Sequence, residues 1–570
     1  MPLKLFHAGP GGPSYSPYAS DAAGHAPARA IALASAWIAL AGNLPLWRTL
    51  ASLPELGNLR GLLFGLGFAV LIGACCAGLL FLLAWRFTLK PALVLFLLAA
   101  AFSAYFMLSY GVVIDTPMMA NVLQTDPRET RDLLSWRLAA TVLLIGVAPA
   151  VALCRLRLRY GPWPRRLAGN LAGLAASAVL LVATLLAVFQ DFSSVMRNHT
   201  QVRYLINPLN SLWALGDMAA EPFARDGTVL LPLGEDAKLG PSHAAGHKPP
   251  LLVLVLGETG RAGNFAVNGY GRPTTPRLSA LAAEGAIASQ RNAWSCGTST
   301  AASLPCMFSH LGRAGYDRRP ANYENLLDVL QHAGLGVLWV DNQSGCKGVC
   351  DRVAQTSTTA LKVPGLCDGG ECFDEVMLRG LDERIAALPA KRRANGVVVV
   401  LHQMGSHGPA YFKREPAAFK RFLPECTSNA LQDCARGQVV NAYDNTIVYT
   451  DHFLGETIAW LRAREAAWSP AMIYVADHGE SLGEGNLYLH GLPYAIAPDV
   501  QKRVPWITWL SPGYGQHGSA TLACLNRRLD AEISHDHYFH SVLGLLDVKT
   551  AAYQPALDIF HACSAAPAVP

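Results

Sequence analysis

Five long apolar stretches crowd into the first third of this 570-residue chain, and they constrain its fold more than any other feature. Each is long enough, or nearly so, to cross about 30 Å of hydrocarbon as a helix. Asn43 and Pro45 interrupt the first stretch, for which a buried soluble helix is the alternative. The pattern predicts a five-helix N-terminal transmembrane domain over residues 1–190. The stretches are residues 30–47, 61–85, 91–110, 138–154 and 167–189.

Basic residues in the short loops predict the orientation of these helices. Residues 155–166, between the fourth and fifth stretches, contain five Arg and no acid, and Arg86 and Lys90 flank the turn after the second. We expect both loops to be cytoplasmic, which places the part after the fifth stretch in the periplasm. Residues 1–28 contain no apolar run, so we expect the first span to act as an uncleaved signal.

The composition agrees with a membrane protein that carries a globular domain. Hydrophobic residues make up 51% of the chain and charged residues 15%, against about 25% in soluble domains. These values exclude long disorder and an ordinary cytosolic enzyme. A net charge of +5 is too small in a chain of this length to predict a nucleic-acid partner.

Ten of the thirteen cysteines lie after residue 290, in the part predicted to be periplasmic. An even number there predicts disulfides, although Cys346 and Cys350 alone could indicate a zinc-cysteine site. Eight of these cysteines form four pairs that would close short loops, and the two that remain would form a fifth pair. The expected pairs are Cys296–Cys306, Cys346–Cys350, Cys367–Cys372, Cys426–Cys434 and Cys524–Cys563.

After residue 250 the pattern becomes one of alternating strands and helices. Runs rich in Val, Leu and Ile predict four buried parallel strands, with helical patterns such as 323–332 and 442–462 between them. This indicates an α/β domain over 250–570 with helices on both faces of a mainly parallel sheet. Residues 191–249 are mixed and then rich in Gly, Pro and His, so we interpret them as a periplasmic bridging segment. The predicted strands are 251–256, 334–340, 397–401 and 472–475.

Unusual polar residues follow the predicted strands, where ligands bind in such sheets. Glu258 follows the first, the segment containing His407 follows the third, and Asp477 with His478 follows the fourth; His490 comes shortly after. Carboxylates and imidazoles are the ligand set of a catalytic zinc or a similar divalent ion. One Glu at a strand end could be a helix cap, but three such strand ends predict a metal site.

Residues 295–301 form a loop of small residues that we expect to open a helix. A hydroxyl there lies near backbone N–H groups and the positive end of the helix dipole, which suits an anionic phosphoryl group. Coordination to a metal would lower the pKa of that hydroxyl and make it a nucleophile. Thr298, Ser299 and Thr300 all qualify, and a simple cap is the alternative for each.

At these positions the chain resembles the bacterial phosphoethanolamine transferases that modify lipid A, a family of the alkaline phosphatase and sulfatase superfamily. The resemblance covers the five spans and the outer domain, and implies an alkaline-phosphatase/sulfatase-like fold for the latter. The matching motifs are residues 257–259 (Gly-Glu-Thr), 272–276 (Arg-Pro-Thr-Thr-Pro), 295–300 (Ser-Cys-Gly-Thr-Ser-Thr) through 303–309, 401–409 (Leu-His-Gln-Met-Gly-Ser-His-Gly-Pro) and 477–484 (Asp-His-Gly-Glu-Ser-Leu-Gly-Glu).

The resemblance also implies roles for single residues. Thr300 matches the nucleophile, and Ser299 stands where the family usually has an acid, a change that we expect to be tolerated. Lys347 matches a phosphate-binding Lys. One tightly bound Zn²⁺ is implied, with a second, looser zinc or the phosphoryl group beside His407 and His490. The implied zinc ligands are Glu258, Thr300, Asp477 and His478.

The family's donor-lipid contacts match Asn121, Thr125 and Glu129 in the third-to-fourth loop. Their spacing would place them on one face of a continuous helix. Pro127 complicates this pattern, because Asp126 could instead cap a new helix with Pro127 at its first position and Glu129 completing a capping box. Ordinary capping is therefore the alternative to donor binding for these three residues.

The implied reaction transfers phosphoethanolamine from phosphatidylethanolamine to lipid A, or to the lipopolysaccharide core, through a phospho-threonine intermediate. Such a protein would be a monomer in the bacterial inner membrane, would contact membrane lipids and would confer resistance to polymyxins. Two classes of alternative stay open: a phosphoglycerol transferase or other membrane-anchored hydrolase of the superfamily, and a catalytically dead metal-binding scaffold.

Overall fold

The computed structural model describes residues 24–124, 127–224, 229–244, 246–367, 371–516 and 522–564. The chain divides into two compact units. The helical unit comprises residues 1–104 and 140–209, and the sheet unit comprises residues 105–139 and 210–570. The predicted bridging segment 191–249 is thus divided at residue 209, and the third-to-fourth loop groups with the sheet.

Each predicted apolar stretch is helical in the described residues. Within the described ranges, four helices are long and apolar enough to cross a membrane, and a pair bent by 43° supplies a fifth candidate. Asn43 and Pro45 lie at the bend, where the buried Asn43 side chain donates to Ile38 O and pairs with the backbone of Asn207. The bent pair is Pro27–Leu40 with Leu44–Ala51, and the four others are Leu59–Leu82, Leu89–Tyr110, Trp136–Arg155 and Trp163–Asn198.

An eight-stranded sheet forms the core of the sheet unit. Its strands are β1 Pro250–Gly257, β2 Ile287–Trp294, β3 Gly336–Asp341, β4 Ala354–Ser357, β5 Val397–His402, β6 Ser469–Ala476, β7 Arg503–Leu510 and β8 Ile533–Ser534. Their spatial order is β8-β2-β7-β6-β1-β5-β3-β4. Strands β6, β1, β5, β3 and β4 are parallel, whereas β7 is antiparallel to both of its neighbours. The prediction of a mainly parallel sheet is confirmed.

Strands β1, β3, β5 and β6 are the four that their apolar runs predict. The sequence pattern misses β4 and β8, which are short, and β2, which carries polar residues. It also misses β7, in which Pro505 interrupts the apolar run. β2, for example, reads Ile-Ala-Ser-Gln-Arg-Asn-Ala-Trp and exposes Arg291. The main helices packed around the sheet are Pro276–Ala283, Thr300–Met307, Leu326–His332, Arg436–Arg462 and Tyr538–Leu545.

The third-to-fourth loop forms two short helices, Thr116–Gln124 and Pro127–Leu133. Asn121 lies on the first of these described helices and Glu129 on the second. Thr125 and the predicted cap Asp126 lie outside the described residues. Further along, residues 191–249 form the turn Thr200–Leu205, the helix Leu209–Ala224 and the short strands Leu230–Leu231 and Lys238–Leu239.

All five predicted disulfides are present in the sheet unit, and no Cys346–Cys350 thiol pair remains for a zinc-cysteine site. Four of them close short loops, with sequence separations of 4 to 10 residues. The fifth, Cys524–Cys563, spans 39 residues. The free cysteines of the described chain are Cys75, Cys76 and Cys154.

Candidate metal and nucleophile site

The register of the sheet brings the ends of β1, β5 and β6 together. Gly257 is opposite Ala476, and Leu256 is opposite His402. Glu258 and Asp477 therefore leave neighbouring parallel strands at the same edge. The loop after β5 packs directly on this point: a Cβ at Gly405, whose φ is +53°, would lie 2.6 Å from Glu258 O. Only glycine fits both this close approach and the positive φ.

Three side chains at this edge form a compact ligand cluster. Glu258, Asp477 and His478 each offer one ligand atom, and these atoms lie within 4.8 Å of one another. His478 Nε2 is 3.4 Å from Glu258 Oε1 and 3.4 Å from Asp477 Oδ2. Thr300 joins them, because its Oγ1 donates to Glu258 Oε2 at 3.0 Å and lies 3.4 Å from His478 Nε2. All four side chains are buried.

The cluster fits a divalent metal ion. The buried Asp477 Oδ2 accepts no hydrogen bond within the described chain. His478 Nδ1 lies 2.9 Å from Gly479 O, and a proton on Nδ1 would leave the Nε2 lone pair available to a metal ion beside the carboxylates. Two buried carboxylates at this separation need a cation between them. Three N/O protein ligands with the Thr300 oxygen make up the number and type of ligands that are typical of a catalytic zinc.

The protonation of the cluster reflects the same excess of negative charge. Burial raises the pKa of Glu258, but His478, His407 and His490 outweigh it and hold that pKa well below its usual range. Burial and the charge of Glu258 raise the pKa of Asp477. Burial lowers the pKa of His478, but Asp477 and Glu258 raise it to about 10. The pKa shifts of Asp477 and His478 share one cause, the negative charge that the two carboxylates bring to the point where a cation would bind.

The loop before Thr300 is fixed on several sides. Thr300 is the first residue of the helix Thr300–Met307, and the Cys296–Cys306 disulfide ties the loop to that helix. Ser303 Oγ donates to Asp477 O at 2.5 Å, which docks the helix on the end of β6. Thr298 Oγ1 donates to Leu492 O at 2.6 Å, away from the cluster. Of the candidate hydroxyls, Thr300 is the one that contacts the ligand cluster.

His407 and His490 form a row beside the cluster. The His490 ring centroid is 4.2 Å from that of His478 and 6.1 Å from that of His407. His490 Nδ1 lies 3.4 Å from Glu480 Oε1, and Glu480 accepts a hydrogen bond from Tyr411 Oη at 3.0 Å. The structure therefore brings both predicted histidines to the ligand cluster.

The loop after β3 reaches the cluster through a residue that the sequence analysis did not single out. Gln343 Nε2 donates to Glu258 Oε2 at 3.3 Å, whereas the Lys347 ammonium donates to Ser344 Oγ at 3.2 Å. Gln343 follows a strand end like the other site residues, so the same rule would have identified it. His535, whose Nδ1 accepts from Cys296 N at 3.1 Å, carries no such signal, because it follows β8, a two-residue strand that the sequence pattern does not predict.

The third-to-fourth loop also borders the site. Helix Thr116–Gln124, which carries Asn121, packs against the Thr300–Met307 helix. Met118 covers Gly491, where an added Cβ would lie 2.1 Å from Met118 Cε. The structure thus brings the helix of Asn121 next to His490, whereas the side chain of Glu129 lies outside the described atoms.

Two known families match the chain. The family described as "Phosphoethanolamine transferase EptA/EptB" matches residues 72–223, and the family described as "Sulfatase" matches residues 250–548. The sulfatase match begins with β1 and includes Glu258, Thr300, Asp477, His478 and His490.

Named relatives and a solved structure match over almost the whole length. Phosphoethanolamine transferase EptA of Salmonella typhimurium is 38% identical, with 93% of this chain and 96% of the relative covered. Phosphatidylethanolamine transferase Mcr-1 of Escherichia coli is 37% identical, with 85% and 89% covered. The integral membrane lipooligosaccharide phosphoethanolamine transferase A of Neisseria meningitidis superposes with a TM-score of 0.87 at 35% identity, covering 94% of this chain and 98% of that one.

Proposed function

This chain belongs to the phosphoethanolamine transferase family and is a transferase enzyme, and we propose that it moves phosphoethanolamine from phosphatidylethanolamine to lipid A or to the lipopolysaccharide core. The names of relatives support both substrates. Mcr-1 is named for phosphatidylethanolamine, and a 28% identical Escherichia coli relative is named a Kdo(2)-lipid A phosphoethanolamine 7''-transferase. The added ethanolamine would bring positive charge to the lipid and so weaken its attraction for polymyxins.

The observation that carries the proposed chemistry is the contact of Thr300 Oγ1 with Glu258 and His478. In the first half-reaction, Thr300 Oγ1 forms a bond to phosphorus and the bond from phosphorus to the diacylglycerol oxygen breaks. The Thr300 proton leaves toward Glu258, to which it is already donated. His490 or His407 gives a proton to the departing oxygen. Bound Zn²⁺, with Glu258, Thr300, Asp477 and His478 as ligands, would supply a Lewis acid that acidifies the hydroxyl and neutralises phosphoryl charge.

The second half-reaction regenerates the enzyme. An oxygen of the acceptor attacks the phospho-Thr300 phosphorus, and its proton passes to the histidine that protonated the diacylglycerol oxygen. The Oγ1–phosphorus bond breaks, and Glu258 returns its proton to the Thr300 oxygen. The order is ping-pong, because diacylglycerol leaves before the acceptor reacts. Lys347, on the loop whose Gln343 contacts Glu258, is the proposed partner of the phosphate. Asn121, Thr125 and Glu129 are the proposed contacts of the donor headgroup.

The proposed location is the bacterial inner membrane, with the bent helix pair as the first of five spans and the catalytic part in the periplasm. The five arginines of residues 155–166 support a cytoplasmic loop there. A phosphatase reporter fused after Pro250 should be active and one fused in the Arg-rich loop silent. The reverse result would invert the topology.

Incubation of the full chain with phosphatidylethanolamine vesicles and no acceptor tests the reaction directly. We expect diacylglycerol release and one phosphoethanolamine added to the peptide that contains Thr300. Parallel vesicles of phosphatidylglycerol test the phosphoglycerol alternative. Turnover of that lipid alone, or no turnover by the zinc-loaded protein, would refute the proposal. Mass spectrometry of lipid A and core sugars from cells with and without the protein then identifies the acceptor.

A further inference from the structure

A buried acid on the third-to-fourth loop has no part in the chemistry described above. Asp132 lies on the helix Pro127–Leu133 and is 5% exposed. Its Oδ1 is 2.5 Å from Lys413 Nζ, and its Oδ2 is 3.1 Å from Arg414 Nη2. Its backbone oxygen accepts from Asn429 Nδ2 at 2.8 Å. One residue therefore ties the loop that carries Asn121 to the segment that follows β5.

Arg414 connects Asp132 to the histidine row. Its side chain is 2% exposed, and each guanidinium nitrogen has a different acceptor. Nη2 pairs with Asp132, Nη1 with Glu371 Oε2 at 2.6 Å, and Nε donates to the backbone oxygen of His407 at 2.9 Å. A planar guanidinium group that is bound to three acceptors has a single orientation, and the ammonium group of a lysine could not reproduce it. The position of the His407 backbone thus depends on Asp132.

Two charges of each sign meet in this cluster, because Lys413 and Arg414 face Asp132 and Glu371. Burying such pairs brings little net stability compared with apolar packing, since each charge must first lose its water. The cluster instead fixes an orientation. Arg414 holds the backbone carbonyl of His407 in place, and the His407 side chain projects toward His490. His407 N is also held, donating to Met404 O at 3.3 Å.

We propose that Asp132 is a positioning residue of the transfer reaction, which acts through Arg414 on His407 and couples the donor-binding loop to the histidine row. The inference rests on the proposed function, because His407 matters only if phosphoryl transfer takes place beside it. Asp132 itself touches neither substrate nor metal ligands. Its removal should therefore lower the turnover number more than the affinity for the donor lipid.

The test is diacylglycerol release by the zinc-loaded full chain from phosphatidylethanolamine vesicles. Asp132→Asn keeps the shape and the backbone acceptor for Asn429 but removes the charge that orients Arg414. We expect kcat to fall about tenfold, within the ~100-fold loss that a 1 Å misplacement can cause, with KM changed less than twofold. Asp433→Asn is the matched control: it removes the exposed ion pair with Arg137 of the same loop and should leave kcat unchanged.

A double-mutant cycle with His407→Ala separates positioning from a structural role. If Asp132 acts through His407, Asp132→Asn should have no further effect in the His407→Ala background. Equal losses of kcat in both backgrounds, or wild-type kcat in Asp132→Asn, would overturn the proposal. Arg414→Lys, which keeps the charge and loses the fork, repeats the cycle should Asp132→Asn not fold. Absence of diacylglycerol release by the wild-type protein would instead count against the proposed function.

Discussion

The ligand cluster and the third-to-fourth loop belong to the same unit but are built in opposite ways. Glu258, Asp477 and His478 are almost fully buried and follow strands whose register is fixed by main-chain hydrogen bonds. The loop's described residues form the short helices Thr116–Gln124 and Pro127–Leu133, with exposed apolar side chains, among them Val122 and Leu123. The difference fits the two tasks: transfer at phosphorus needs atoms fixed within a fraction of an ångström, whereas a surface that receives a lipid needs apolar area and some freedom.

Among substitutions in these two regions, we expect the largest loss of activity at the nucleophile Thr300. Thr300→Ala removes the oxygen that would form the covalent intermediate, so we expect transfer to be abolished while the protein folds and retains some zinc. Thr300→Ser keeps the oxygen and should retain part of the activity, because the missing methyl leaves the rotamer less fixed. Diacylglycerol release and intact-mass analysis measure both.

Thr298→Ala is the matched control for Thr300→Ala. Its hydroxyl binds Leu492 O and not the cluster, so the loss of activity should be mild. Donor turnover by Thr300→Ala, or phosphoethanolamine on Thr298 or Ser299 in the wild type, would contradict the assignment of the nucleophile.

The second effect is loss of the metal. Asp477→Asn removes one of the two carboxylate charges that make the cluster fit a cation, and we expect zinc bound per chain to fall together with activity. Asp444→Asn is a suitable control, because that buried acid pairs with Arg272 and lies on the helix Arg436–Arg462, outside the ligand set. Full zinc content in Asp477→Asn, measured by elemental analysis, would show that the metal binds elsewhere.

The sequence predicts these two regions unequally. Glu258, Asp477 and His478 follow apolar strand runs, and parallel strands align their carboxyl ends, so their meeting could be inferred. Thr300 could not be separated from Thr298 without the resemblance, because only the fold shows which hydroxyl turns to Leu492. The sequence leaves open both a continuous helix over residues 121–129 and a new helix that begins at Pro127. The contact of Asp132 with Arg414 joins residues 282 positions apart, and no local pattern predicts it.

A third, intermediate effect concerns the disulfide that frames the nucleophile loop. Replacing both Cys296 and Cys306 by Ser should lower the melting temperature and reduce kcat several-fold, because the start of the Thr300–Met307 helix loses its tie. A native disulfide typically contributes about 2–4 kcal/mol. The Cys426→Ser/Cys434→Ser variant removes a loop of similar size away from the nucleophile and should affect stability with little change in kcat. Equal loss of kcat in both variants would contradict a specific role of the Cys296–Cys306 disulfide in positioning the nucleophile.

The smallest effect is expected in the third-to-fourth loop. Asn121 is half-buried on the helix that packs against the Thr300–Met307 helix, so Asn121→Ala should raise the KM for phosphatidylethanolamine a few-fold and change kcat less. Loss of one neutral hydrogen bond corresponds to about 1 kcal/mol, or roughly a fivefold change in binding. Gln124→Ala removes an exposed amide from the same helix and should be neutral. If Asn121→Ala lowers the melting temperature and leaves KM unchanged, the residue only shapes the helix, and the loop meets the donor through other side chains.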